Sequence, residues 1–289
     1  MTFSIKPTGP NGDEIEFWNG PQGQNWVTQN DLTDLMYDPF GAQALARAEL
    51  SPGEHVIDIG CGCGKTTGAL AERVIPGGRV AALDVSVPML EIAKRRTSPD
   101  LDFVEFVSAD AADYNFDQGS YDVLFSQFGL MFFHNMEAAF SNFFGALKPN
   151  GRTAFVCWRR PDLNPWLMIP FHAVRRFVPD MPVPSPDVPS SPFSLARQDR
   201  LHDLLVGAGF EDVQLEEFRA PTRMGRGDLD ECLRFVADFS NPVATALRLS
   251  EASEAPKILD AVRDAVAPYH NGNTLELPAA SWIVSARRR

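Results

Sequence analysis

Short apolar runs alternate with amphipathic stretches along the first half of the chain. His55–Ile59 is apolar and β-branched and ends in glycines, which predicts a strand. A helical pattern follows from Lys65 to Val74, broken by Pro76-Gly77-Gly78. Arg79 to Asp84 predicts a second strand and leads into a helix from Pro88 to Arg96, where the proline suits a first helical turn. Residues 102–107 and Tyr121 to Ser126 predict strands three and four. Glu137 to Leu147 predicts a helix stopped by Lys148-Pro149-Asn150-Gly151, and Arg152 to Trp158 a fifth strand. These strands are apolar throughout rather than alternating, which fits a parallel sheet covered on both faces.

The pattern changes after Trp158. Residues 161–192 hold nine prolines together with Trp166, Phe171 and Phe177, which predicts an ordered but irregular lid. Arg197 to Ala208 predicts a helix with Gly209 past its end, and Phe210 to Phe218 a sixth strand. Residues 228–268 predict helices broken at Pro242 and Pro256, and Leu275 to Ala286 a last strand. The expected segments are a 1–45 cap, a 46–160 core, a 161–196 proline-rich lid, a 197–222 core continuation, a 223–272 helical insertion and a 273–289 final strand.

Composition narrows the classes. Hydrophobic residues make up 44% of the 289, enough for a sizeable core. With 26 Lys and Arg against 38 Asp and Glu, the formal charge is −12, which disfavours nucleic acid or an anionic membrane as partner. The run Arg287-Arg288-Arg289 reads as a frayed, solvated terminus. Cys61, Cys63, Cys157 and Cys232 lack the spacing of a zinc site or disulfide scaffold, so no metal is expected. The first thirty residues hold no signal-peptide-like apolar run, and no stretch reaches the roughly 18 apolar residues of a membrane span. A cytoplasmic protein is the expectation.

Candidate chemistry concentrates in Val56-Ile57-Asp58-Ile59-Gly60-Cys61-Gly62-Cys63-Gly64-Lys65, a strand, a glycine turn and a helix start. Such a turn lets backbone approach a ligand and offers free N–H donors. The dinucleotide fingerprint fails, because its last glycine falls on Lys65 or Thr67. The phosphate-loop pattern fails because its first glycine falls on Ile59, which leaves Lys65 as a solvated first-turn lysine. Asp58-x-Gly60-x-Gly62-x-Gly64 resembles the first motif of class I S-adenosylmethionine-dependent methyltransferases. Asp84, Asp110-Ala111, Tyr121-Asp122-Val123-Leu124-Phe125 and Leu147–Gly151 follow in that family's order. Trp18-Asn19-Gly20 with Trp26, Phe125–Phe133, Asn164-Pro165-Trp166, Pro192–Leu195 and Leu277–Trp282 resemble a bacterial small-molecule-type group related to quinone-biosynthesis methyltransferases.

The resemblance implies a Rossmann-like, doubly wound α/β fold. Its mostly parallel seven-stranded sheet has an antiparallel last strand, helices on both faces and a lid built from the added segments. It implies methyl transfer from S-adenosylmethionine to O, N or C of a small, apolar or aromatic acceptor, releasing S-adenosylhomocysteine, by a monomer or homodimer. Asp58 would face the methionine ammonium, with Gly60, Cys61, Gly62 and Gly64 making room for the methionyl and ribose parts; capping of the loop is the plainer role. Asp84 would accept both ribose hydroxyls, the alternative being a helix N-cap. Asp110 and Ala111 would meet the adenine edge, Val85 and Met89 would flank the ring, and Gln127 would offer its backbone carbonyl. Val85 and Met89 fit core packing equally.

A base is needed only where the nucleophile carries a proton. His134, past strand four, is the candidate, against an exposed loop histidine; His172 and Tyr37 follow. Trp26, Tyr37, Trp166 and Phe171 would wall an acceptor pocket, or form the small core that an added segment needs. Two other functions stay open: methylation of a peptide or protein side chain, and cofactor binding by a regulator without turnover.

Overall fold

The computed structural model describes residues 3–97 and 101–289; Met1 and Thr2, the start of the expected cap, lie outside them. Seven strands form one sheet in the order β3-β2-β1-β4-β5-β7-β6. They are β1 (His55–Ile59), β2 (Arg79–Asp84), β3 (Val104–Ser108), β4 (Tyr121–Gln127), β5 (Leu147–Trp158), β6 (Glu211–Arg226) and β7 (Thr274–Arg287). Strands β1 to β5 pair in parallel, and β7 lies antiparallel between β5 and β6, as the family resemblance implied. Val56, Ile57 and Ile59 of β1 are buried, which is why this strand is apolar on both faces. The parallel arrangement puts the ends of β1, β2, β3 and β4 on one edge, so Ile59, Asp84, Ser108 and Gln127 open together.

Helices α4 (Lys65–Val74), α5 (Val87–Arg96), α6 (Met136–Ala146) and α8 (Gln198–Gly207) connect or flank the strands. Along α4 the buried residues are Thr66, Thr67, Leu70, Ala71 and Val74, one stripe at helical spacing.

The added segments are more regular than their composition suggests. Residues 12–47 form α1 (Gly12–Asn19), α2 (Pro21–Thr28) and α3 (Asn30–Arg47). Helix α3 is not cap: it packs on β4, β5, β6 and β7, with Met36, Phe40 and Ala44 fully buried. Pro39 and Gly41 inside it hide this helix from propensity reasoning. A Cβ at Gly41 would lie 1.7 Å from the Gln127 side-chain oxygen, so a larger residue there would displace that amide.

The proline-rich stretch holds α7 (Pro165–Arg175), started by Pro165 in its first turn and carrying Pro170 inside, so only its remainder is irregular. Helix α7 packs on α10 (Asn241–Leu249) and α11 (Ala255–Val266), and these on α9 (Leu229–Phe239). A reciprocal Asp228–Glu231 capping box starts α9.

Three further expectations need correction. Strand β5 begins at Leu147, ahead of the turn residues, with an irregularity opposite Tyr121 and Val123. Strand β6 runs to Arg226, so residue 222 is no segment boundary; its mostly exposed edge position leaves little apolar signal. The terminal arginines are engaged: Arg288 Nη1 donates to the carbonyls of Phe144, Gly145 and Leu147, and Arg289 pairs with Asp212. No helix among the described residues is long and apolar enough to cross a membrane.

Candidate active site

A cavity of about 480 Å³ opens at the shared strand edge. Its floor is the β1–α4 turn, where Gly60, Gly62 and Gly64 have φ of 69°, 54° and 82°. At Gly60 glycine is obligatory twice over, by that φ and because a Cβ would stand 2.8 Å from the Gly129 Cα.

Asp58 is fully buried and is not part of the cavity lining. One carboxylate oxygen accepts the Thr66 and Thr67 hydroxyls at 3.1 and 2.7 Å; the other, Oδ1, is buried with no partner. Burial pushes its pKa up to about 7, against the two threonine hydrogen bonds. The loop-capping alternative therefore takes a different form, with hydroxyl rather than backbone donors in the first turn of α4.

Asp84 lines the cavity, and its two oxygens accept the Gly62 and Ser86 backbone N–H groups at 2.8 Å each. Ser86, not Asp84, is the N-cap of α5. Burial raises the Asp84 pKa, opposed by those N–H groups. Each oxygen keeps a second lone pair for a ligand hydroxyl. Asp110 accepts from the Ala112 N–H at 3.0 Å and the Asn11 side chain at 2.8 Å, and burial raises its pKa too. Asn142 braces the same turn by donating to the carbonyls of Ala111 and Tyr114 at 3.1 and 2.9 Å.

Cys61, Val85, Met89, Ala111 and Gln127 also line the cavity. Burial pushes the Cys63 thiol up to about 12 and Cys61 well above its ordinary value, so both are neutral. Lys65 is half exposed and pairs with Asp38 at 3.1 Å.

The roof comes from the added segments. Asn19 of α1 donates to the Val85 carbonyl at 2.8 Å and accepts the Val87 N–H at 3.0 Å, and the Trp18 carbonyl accepts the Ser86 hydroxyl. Between the asparagine pins, Glu14 and Trp18 face the cavity. Burial pushes the Glu14 carboxyl up to about 7. Trp26, Tyr37, Phe128, Trp158, Trp166 and Phe239 form an aromatic wall. Tyr37 stacks on Trp26 at 5.8 Å and 13°, and Phe128, held at a φ of 60°, stacks on Trp158 at 4.0 Å.

Two candidates fall outside. His134 is exposed and absent from the lining; only its backbone N–H is used, donating to Asn11 at 2.8 Å. His172 is exposed as well. Phe171 is fully buried, because it faces the main core from α7 rather than the cavity. No pattern singled out Asn11, Glu14, Trp158 or Phe239, which meet only through the fold, and the Phe125–Phe133 motif gave Phe128 no role of its own. A polar residue at a helix start was the one signal available for Asn11.

Residues 56–151 match the family model described as a methyltransferase domain. A demethylmenaquinone methyltransferase of Clavibacter sepedonicus is 40% identical over 136 residues, covering 46% of this chain and 54% of that protein. A trans-aconitate 2-methyltransferase of Paracidovorax citrulli is 39% identical over 110 residues, covering 38% and 40%. The chain thus spans about half or less of the length of these relatives. Among solved structures, Haemonchus contortus phosphoethanolamine N-methyltransferase 2 in complex with S-adenosyl-L-methionine shares the fold, with a TM-score of 0.54 and 17% identity over 93% of this chain and 60% of that one.

Proposed function

We propose that the chain, whose residues 56–151 match a methyltransferase domain, is of the class I S-adenosylmethionine-dependent type and moves a methyl group to O, N or C of a small, apolar or aromatic acceptor. The observation that carries this reading is the lining of one cavity by the Gly60–Gly64 turn, Asp84 and Asp110, at successive ends of parallel strands. Bound S-adenosylmethionine would supply an activated methyl on a sulfonium. Asp84 would accept the ribose hydroxyls, Asp110 the adenine amino group, and Val85 and Met89 would flank the ring. The unpartnered Oδ1 of Asp58, buried behind the turn, would ionise in response to the cofactor's positive methionine end. With carboxylates rather than N–H donors or cations at the ribose end, a pyrophosphate is a poor fit.

The chain's part in the reaction is placement and exclusion of water. Where the acceptor's nucleophile carries a proton, Glu14 is the cavity group with a proton affinity near neutrality. Those relatives are named for demethylmenaquinone and trans-aconitate, which supports a small acceptor over a protein side chain.

Calorimetry with S-adenosylhomocysteine tests the cofactor: binding is expected, with a rise in melting temperature that NADH and ATP do not produce. A response to NADH and none to the adenosyl ligand would overturn the reading. Release of S-adenosylhomocysteine in the presence of aromatic acceptors separates an enzyme from a cofactor-binding regulator.

A further inference from the structure

A buried serine joins two sides of the cavity. Ser126, near the end of β4, is fully buried. Its hydroxyl donates to the Ile59 carbonyl at 2.7 Å and accepts the Gly129 N–H at 3.2 Å. The first bond fixes the end of β1, where the Gly60–Gly64 turn begins. The second closes a short turn around Gln127 and Phe128. The two loops meet closely: a Cβ on Gly129 would stand 2.6 Å from the Ile59 carbonyl oxygen and 2.9 Å from the Ser126 hydroxyl.

Phe128 sits inside that turn at a φ of 60°, a region that bulky side chains seldom occupy and keep only where their surroundings hold them. Its N–H donates to the Val156 carbonyl at 3.0 Å, and the Ser126 bond closes the turn behind it. The Phe128 ring lies 4.0 Å from the Trp158 ring at 22°, and 5.1 Å from Tyr37. The same loop grips Trp158 a second time, through the Met131 sulfur, which accepts the Trp158 backbone N–H at 3.4 Å. Gly60, Phe128 and Trp158 all line the cavity, whereas Ser126 does not. A line of contacts thus runs from the glycine turn to the aromatic wall, with Ser126 at its centre.

We propose that Ser126 is a positioning residue: it sets Phe128 and Trp158 against the glycine turn, so that a ligand on the turn is felt at the wall. Transfer requires donor and acceptor to be held in line, so the placement of one side against the other matters to the reaction. The identity of the ligand on the turn rests on the cofactor reading; the clasp itself belongs to the free protein. A serine that only filled core space would leave Trp158 indifferent to what occupies the turn.

The test uses full-length protein labelled with fluorotryptophan, in which the Trp158 fluorine resonance is identified by its loss in Trp158→Phe. Saturating S-adenosylhomocysteine should move that resonance in wild type. In Ser126→Ala, with saturation checked by calorimetry, the movement should be lost, and the resonance of the free variant should itself differ from wild type. Ser126→Cys keeps much of the volume but replaces the hydroxyl with a weak donor and acceptor, and serves where the alanine variant does not fold. Val80→Ala removes buried methyl groups at the far end of β2, so it should lower stability yet keep the movement. A Trp158 resonance that responds alike in wild type and the Ser126 variants, or that stays still in wild type while the ligand binds, would overturn the proposal. Failure of S-adenosylhomocysteine to bind would instead sink the cofactor reading. The free proteins then decide this one: a Trp158 resonance unchanged by the Ser126 substitutions would remove the clasp.

Discussion

Asn11 Nδ2 donates to Asp110 Oδ2 at 2.8 Å, across 99 residues of sequence. The same amide accepts the His134 backbone N–H through Oδ1, so one buried side chain ties the start of α1 to two loops at the sheet edge. The roof and the loops at the strand edge are therefore one hydrogen-bonded unit. Asn11→Ala should cost about 1.5–3 kcal/mol of stability, the usual range for a hydrogen bond to a charged group. Hydrogen exchange should speed up in residues 11–20 more than in β3. Equal exchange in both proteins would show that α1 is held by its packing alone.

If Asp84 accepts the ribose hydroxyls as proposed, Asp84→Ala should lower S-adenosylhomocysteine affinity by about 1.5–3 kcal/mol. The variant also strands the Gly62 and Ser86 N–H groups, so stability should fall by about 1–3 kcal/mol as well. Calorimetry beside denaturant unfolding reads both losses. Wild-type affinity in the folded variant would leave Asp84 only its role in shaping the loop.

Asp58 predicts a proton linkage. Its folded pKa is raised to about 7 from 3.8, so near pH 6 the free protein holds it largely protonated. A cationic ligand end favours the ionised form, so binding should release a proton at pH 6 and tighten as pH rises through about 7. Calorimetry in buffers of different ionisation enthalpy measures that proton. Asp58→Asn should abolish the release; uptake of a proton instead would contradict the assignment.

For Glu14 the linkage concerns stability. Its folded pKa is raised from 4.5 to about 7, so its contribution is fully present below pH 4.5 and is lost as pH rises through 7. Glu14→Gln carries no charge at any of these pH values. Measured against it, wild type should therefore lose ground steadily between pH 4.5 and 7. A constant difference across that window would mean that Glu14 titrates normally.

The segments over the cavity should respond to ligand as a cover, since they must open to admit an acceptor. Hydrogen exchange in residues 11–28 and 176–192 should slow when S-adenosylhomocysteine binds. Removing residues 1–28 should abolish turnover while the core still folds. Extending the deletion into α3 should unfold the core, because Met36, Phe40 and Ala44 are part of it. Unchanged exchange in both segments, with normal turnover after the short deletion, would make them structural additions only.

Local chemistry was enough for the core. The bounds of β1, α4 and β2 coincide with those read from the chain, because a buried parallel strand is apolar on both faces and glycine or proline marks its end. The order of strands and helices, with motif spacing, carried the fold class and the methyltransferase resemblance. So did the grouping of Asp84 and Asp110, since parallel strands must end on one edge. What the tertiary structure alone decided was everything built from residues far apart in the chain. Helix α3 joins the core despite Pro39 and Gly41 because Met36, Phe40 and Ala44 are buried against the sheet. His134 lies beside the site in sequence but outside the cavity, whereas Trp26, Tyr37 and Trp158 form one wall from three separate elements. Periodicity reports which face of an element is buried; which distant side chains share that burial depends on how the elements pack, and at this sheet edge that packing sets the chemistry of the cavity.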